Sequence, residues 1–297
     1  MQFGKVELPE LVDFSLPCTH ERTIKLLNSF DDVEKSNIYV GCAKWNKADL
    51  KGFYPKGTKD ELGYYSKQFN SIELNATFYR LFSAEQFEKW KLKTPKGFKF
   101  FPKLTQDISH FKRLQGTQDF VNSFLDNSAH LQDRLGTIFL QMHADFGPEN
   151  FNTLKNFVIS WPKGIPLAIE VRHEEWFSNS TVFDEFTQLL QENNIANILV
   201  DTSGRRDMLH MSLTNNEAFI RFVGANHPSD YERLDAWVHR LKEWSDLGLK
   251  NIHFFIHQNI EEESPLLAAY FIKKLNKELE TDLKVPNQNI QQQMSLL

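Results

Sequence analysis

The chain has 297 residues, 41% of them hydrophobic and 25% charged, with 11 Pro and 13 Gly. That balance excludes collagen-like, low-complexity and wholly disordered chains, and the length suits one α/β barrel of roughly 250 residues. The 34 basic and 39 acidic residues leave a net charge of −5, so attraction to a polyanion needs a local patch that the total hides.

The amino terminus lacks a basic region followed by an apolar stretch, and no apolar run reaches about 18 residues, so a cytoplasmic protein with no membrane partner is expected. Cys18 and Cys42 are too few for a disulfide framework or a Cys-x-x-Cys zinc site, and they favour a reducing compartment. From Ile38 onward, short β-rich runs alternate with helical patterns. The runs are IYVGCA from Ile38, SIELN from Ser71, FKFFPK from Phe98, TIFLQM from Thr137, LAIEV from Leu167, ANILVD from Ala196, AFIRFV from Ala218 and NIHFFIH from Asn251. Their spacing, mostly about 27 to 39 residues, is a strand plus a returning helix. The intervening segments carry apolar residues three and four apart, as in Phe120, Phe124, Ala129 and Leu131, or Leu234, Trp237, Val238, Leu241 and Trp244. Eight such units predict a single (β/α)8 barrel over 38–280, with residues 1–37 an extension packed on it. Residues 281–297, with Pro286 and a Gln/Asn-rich run, read as a tail.

Two motifs tempt and fail. Residues 52–59, GFYPKGTK, space Gly52 and Gly57 as a phosphate-binding loop does. Thr58 precedes Lys59, however, and Pro55 removes an amide donor. His253 and His257 lie four apart, but within a strand that separation is roughly 13 Å, so at most one reaches a given ion.

In a barrel the carboxyl ends of the strands form the catalytic face. Polar residues collect there: Glu73 and Asn75, Lys103, Gln141 and His143, Glu170 with Arg172 and His173, Asp201, Arg221, and His257 with Gln258 and Asn259. Glu73 with Asn75, and Glu170 with Arg172, are two apart and share the inward face. Charges so placed must pair or be used. A purely structural ion network, with Lys103, Arg172 and Arg221 neutralising Glu73 and Glu170, is the bland alternative to a site. Trp45, Tyr79 and Trp176 are loop aromatics that either stack on a ligand or seal helices onto the rim.

Taken together, Gly41 and Trp45, Phe53-Tyr54-Pro55, Tyr64-Tyr65, Ile72-Glu73 with Asn75 and Thr77-Phe78-Tyr79, and Trp90 with Thr94-Pro95 resemble a known pattern. It continues through Phe98, Phe100, Lys103, Ser109-His110, Gln141, Glu170-Val171-Arg172-His173, Trp176-Phe177, Asp201, Arg221-Phe222 and Gly224. This is similar to the YecE-like family, domain of unknown function 72, across most of 38–275. The resemblance implies a TIM barrel and no reaction. His143 stands where that family usually has Pro, Val223 where it has His, and His257-Gln258 where it has paired Asn.

Three functions compete. The first is an enzyme, a hydrolase or phosphoesterase, with Glu73, Glu170 and Asp201 as catalytic carboxylates. Its sugar- or phosphate-containing substrate is held by Asn75, Lys103, Gln141, Arg172, His173, Arg221 and His257, with Trp45, Tyr79 and Trp176. Within it, Arg172 keeps Glu170 ionised and burial raises Glu73 to serve as the acid. The second is a non-catalytic barrel binding an anion or, less favoured, a nucleic acid; its cue is cations and aromatics with no carboxylate of raised pKa. The third is a metal-dependent phosphoesterase or endonuclease-like barrel using Glu73, Glu170, Asp201 and a histidine. No cofactor is expected under the first two, because three cations already supply the charge that a divalent metal would bring.

Overall fold

All eight β-rich runs form strands: β1 (Asn37–Cys42), β2 (Ser71–Leu74), β3 (Lys99–Pro102), β4 (Ile138–Gln141), β5 (Leu167–Glu170), β6 (Ala196–Asp201), β7 (Glu217–Gly224) and β8 (Asn251–Gln258). The structure, a computed structural model, describes residues 4–30 and 35–287, so most of the segment read as a tail lies outside the described residues. The strands are parallel and run in the order β3-β2-β1-β8-β7-β6-β5-β4. Parallel bridges from Phe100 to Leu135 and from Lys103 to Phe139 join the two ends. The sheet thus closes into the (β/α)8 barrel the spacing predicts.

Strands covered by helices outside and packed side chains inside are apolar on both faces; every residue of β4 and β5 is buried. Inside, Phe101, Phe139, Phe219 and Phe255 interlock beside Ala168 and Ala196, with ring centroids 4.9 Å apart for Phe101 and Phe255 and 5.4 Å for Phe139 and Phe219. Large rings meet small side chains, so the lumen is solid and only its carboxyl-end mouth is left to polar groups. Below the rings His253 Nε2 lies 3.4 Å from Glu217 Oε2, at the opposite end from His257.

The helix Ser180–Glu192 illustrates the outer layer. Asn179 caps it by accepting from the amides of Thr181 and Val182, and Phe183, Phe186, Leu189 and Leu190 form its buried face. It stops where Asn194 takes a positive φ of 54°. The helix Gln118–Ser128 buries Val121 and Phe124, whereas Phe120, read as apolar face, is exposed under Lys112.

The described residues ahead of β1 run along the β6 to β7 connection and the helix Ser229–Asp246. Gly4 O accepts from Gly204 N at 2.8 Å and Ser203 Oγ at 2.8 Å. Arg240 donates to Pro17 O at 2.8 Å and Thr23 Oγ1 to Met211 O at 3.0 Å.

Candidate active site

Inward parity brings Glu73 (β2), Gln141 (β4), Glu170 (β5), Arg221 (β7) and His257 (β8) to the mouth, joined by Lys103 and Arg172 one and two residues past β3 and β5. Arg221 is the hub. Its Nε and Nη2 donate to the two oxygens of Glu73 at 3.0 and 2.9 Å, and its Nη1 donates to Glu170 Oε2 at 2.6 Å. Arg172 Nε and Gln141 Nε2 both donate to Glu170 Oε1, at 2.5 and 2.9 Å. Asn75 Nδ2 donates to Glu73 Oε1 at 2.8 Å, and His257 Nε2 is 2.9 Å from Glu73 Oε2. Glu73 and Glu170 are buried, and the fork of Arg221 between them meets the requirement that buried charges be paired and hydrogen-bonded.

These contacts decide which groups titrate. Burial alone would raise Glu73, but the charges of Arg221 and His257 outweigh it and hold the carboxyl well below the usual range. The same contest at Glu170, won by Arg172 and Arg221, brings it down to about 2. The expected division into an ionised Glu170 and a protonated Glu73 is therefore corrected: Glu73 is ion-paired on both oxygens, and both carboxylates are ionised. An ionised carboxylate can only accept, so His257 Nε2 carries the proton toward Glu73.

Lys103, which is 3% exposed, is poised near neutrality. Burial first, then the positive charges of Arg221 and Arg172, push its ammonium down to about 7. Its Nζ donates to Gln141 Oε1 at 2.7 Å and sits 4.1 Å from the centroid of Phe78. The local fold sets this up. Asn75 starts the short helix Ala76–Tyr79, and Thr77 Oγ1 donates to both Leu74 O and Lys103 O, tying β2 to β3 and laying Phe78 over the amine. Beyond it, burial and the Lys103 charge push His110 down to about 4; its ring lies edge-on to Phe78 and His143.

A cavity of about 880 Å³ opens over this floor. Among the residues expected to bind ligand, Asn75, Lys103, Arg172, Arg221 and His257 face it, together with Glu73. Trp45 and Tyr79 form part of its wall, Tyr79 being 68% exposed. Gln141 and Glu170 lie beneath, as supports of Lys103 and Arg172. Val223 and Gln258, two of the departures from the family pattern, also face the cavity, whereas His143 folds back so that its Nδ1 accepts from the Asp145 amide.

Three expected site residues go elsewhere. On β6 it is Ala196, Ile198 and Val200 that point inward, so Asp201 faces the helix Ser229–Asp246. There it accepts from Arg233 Nη2 at 2.7 Å and Trp237 Nε1 at 2.8 Å, and also from Arg206. Trp176 is buried in the outer core with its Nε1 on Phe146 O at 2.7 Å. His173 Nδ1 accepts the Glu175 amide, capping a turn. The metal set of Glu73, Glu170, Asp201 and a histidine is consequently not assembled, and among the described residues no three His, Cys, Asp or Glu side chains group around an ion position. What the sequence reading missed is the titrating role of Lys103 and the part of Phe78 and His110 around it. The Phe78-Tyr79 pair so soon after Asn75 was the available signal.

The sequence matches the family model "Protein of unknown function DUF72" over residues 39–292. The UPF0759 protein YecE of Escherichia coli K12 is 27% identical over 281 residues, covering 87% of this chain and 99% of the relative. The UPF0759 protein YunF of Bacillus subtilis 168 is 28% identical over 201 residues, 64% of this chain and 71% of the relative. The DUF72 family protein EF0366 of Enterococcus faecalis V583 superposes with a TM-score of 0.66 at 18% identity, over 84% of this chain and 100% of that one. For the DUF72 family protein TM1631 of Thermotoga maritima MSB8 the TM-score is 0.61 at 24% identity, over 80% of this chain and 99% of that one. At such identities the structural likeness speaks for the fold alone.

Proposed function

The chain belongs to the DUF72 family, and from the floor of its barrel mouth we propose that it is an enzyme acting on an anionic, sugar- or phosphate-containing small molecule. One observation carries the reading. Lys103 lies buried beside two guanidinium groups and faces the cavity, yet among the described residues no carboxylate lies within ion-pairing distance of it. A ligand anion there relieves the mutual repulsion of these cations. Glu73 and Glu170 act as positioning groups that hold Arg221 and Arg172, while Lys103 is able to give or take a proton near pH 7. Tyr79 and Trp45 offer aromatic faces to the uncharged part of the substrate.

Thermal melts at pH 6 with inorganic phosphate, a hexose phosphate and the corresponding free hexose test this. Saturation at about 100 times Kd adds about 2.7 kcal/mol, so the hexose phosphate should raise Tm by several degrees, the free hexose far less, and Lys103→Met should lose most of the gain. Equal shifts with the neutral sugar, or none with either anion, refute the anion seat. A second reading, a barrel that binds the same anion without turnover, is favoured by the lowered pKa values of both Glu73 and Glu170, neither of which is left to act as an acid. Product formation from the phosphate that binds separates the two.

A further inference from the structure

We infer that Lys103 is an amine nucleophile that forms an imine with an aldehyde or ketone bearing a phosphate or carboxylate. The inference rests on reading the mouth as an anion seat and adds the reacting carbonyl to it. The geometry turns on Gln141. Glu170 Oε1 accepts from Gln141 Nε2 at 2.9 Å, and because an ionised carboxylate offers acceptors only, the amide is fixed with its oxygen toward Lys103. Gln141 Oε1 holds Lys103 Nζ at 2.7 Å without contributing a negative charge. A carboxylate at that place would lock the amine as ammonium, whereas an amide oxygen accepts one N–H from either form. The neutral amine can therefore keep its hydrogen bond and turn its lone pair to the cavity.

The Phe78 ring 4.1 Å away covers one side of Nζ, and burial keeps bulk water from most of it. Desolvation next to other cations is the setting in which lysines act as nucleophiles, and the lowering of Lys103 to about 7 agrees with the geometry. Arg172 and Asn75 at the same floor are placed for the substrate's anionic and hydroxyl groups.

The chemistry balances with solvent water in the open cavity as proton carrier. The Lys103 ammonium gives one proton to water, its lone pair forms the C–N bond as the carbonyl π pair moves to oxygen, and that oxygen takes a proton back from water. The nitrogen then passes its second proton through water to the carbinolamine hydroxyl, which leaves as water while the nitrogen lone pair forms the C=N bond. Ammonium plus carbonyl gives protonated imine plus one water, with charge conserved and no oxidant or reductant.

Dihydroxyacetone phosphate and pyruvate serve as the two anionic probes, dihydroxyacetone as the neutral one, each with sodium cyanoborohydride at pH 7 followed by peptide mapping of the full chain. An unperturbed lysine of pKa about 10.4 is about 0.04% neutral at that pH and Lys103 about half, a ratio of about 1000, so its peptide should carry the reduced adduct at least ~10-fold faster than the peptides of exposed lysines. Inorganic phosphate should compete, the neutral ketone should react at least ~10-fold more slowly, and Lys103→Met and Lys103→Arg should lose that adduct. Whichever anionic probe is faster tells phosphate from carboxylate. Because mapping on the unsubstituted chain is itself decisive, a variant that fails to fold does not spoil the test. Adducts scattered over surface lysines, or none on Lys103, while phosphate still raises Tm, overturn the imine and leave the anion seat standing. A Lys103 adduct that forms equally from the neutral ketone and ignores phosphate upholds the amine chemistry and overturns the anion seat.

Discussion

Arg221 donates to both Glu73 and Glu170, so neutralising either carboxylate strands buried positive charge. Glu73→Gln and Glu170→Gln should each lower the unfolding free energy by about 3–5 kcal/mol in urea titrations at pH 7; a change below about 1 kcal/mol would mean that the network holds no charge in place. The pH dependence has a definite sign. Glu170 falls to about 2 in the folded chain from about 4.3 unfolded, so its stabilisation is complete above about pH 4.3 and is lost as pH falls toward 2. Glu170→Gln should remove that part of the acid limb. Lys103 acts in the same direction at higher pH: its folded value near 7 lies below the unfolded value near 10.4, so the unfolded chain binds more protons between them and stability rises with pH across that window. Gln141→Glu should move the Lys103 midpoint upward by at least one pH unit, read from the pH profile of amine modification. An unmoved midpoint would deny Gln141 its part in keeping the amine uncharged. The sequence showed these groups converging, because Glu73 with Asn75 and Glu170 with Arg172 share a face by spacing alone. It could not show that Arg221 reaches both carboxylates, because that depends on a contact between residues 148 positions apart.

At the scale of strands, β1 owes its fit beside β2 to Gly41, which is in register with Ser71. A Cβ there would lie 2.2 Å from Ser71 O, a backbone atom that cannot swing aside. Gly41→Ala should therefore push the two strands apart and destabilise by about 1–3 kcal/mol in urea unfolding. If stability stays unchanged, the close approach is not a constraint. The eight strands were legible because each is a short β-rich run followed by a helical pattern, which is the imprint of burial on two faces. Parity was also legible, and β6 shows how it was overlooked. In ANILVD the small and apolar Ala196, Ile198 and Val200 alternate with Asn197, Leu199 and Asp201, and a barrel lumen filled by Phe101, Phe139, Phe219 and Phe255 has room for the first set. Asp201 ends its strand as Glu170 does, but on the other face. Its partners lie on the helix after β7, where Arg233 and Trp237 stand one turn apart, and a nearly unexposed arginine on a helix is itself a sign that a carboxylate lies opposite.

At the scale of the whole molecule, two assemblies of buried charge among the described residues lie on opposite sides of the barrel wall. Inside, Arg221 gathers Glu73 and Glu170; outside, Arg233 joins Asp201 to Asp230, and Phe14 from the amino-terminal segment lies 4.6 Å from the Arg233 guanidinium. Arg206 binds Asp201 and also donates to Phe14 O at 3.3 Å and Ser15 O at 3.2 Å, so the outer assembly fastens residues 14–15 to the barrel. We propose on this basis that the segment before β1 is a strap whose attachment depends on Asp201. Asp201→Asn leaves the shape of the side chain and removes the charge that two arginines share. It should therefore cost about 3–5 kcal/mol and make the first 20 residues markedly more sensitive to protease at a fixed temperature. The mouth should be untouched, with the same rise in Tm on adding phosphate, because Asp201 shares no partner with Lys103, Arg172 or Arg221 among the described contacts. Combined with Glu170→Gln, the two losses should add to within about 0.5 kcal/mol, as they do for sites that share no partner. A coupling well above that, or a phosphate response lost in Asp201→Asn alone, would show that the two assemblies act as one and would return Asp201 to the site.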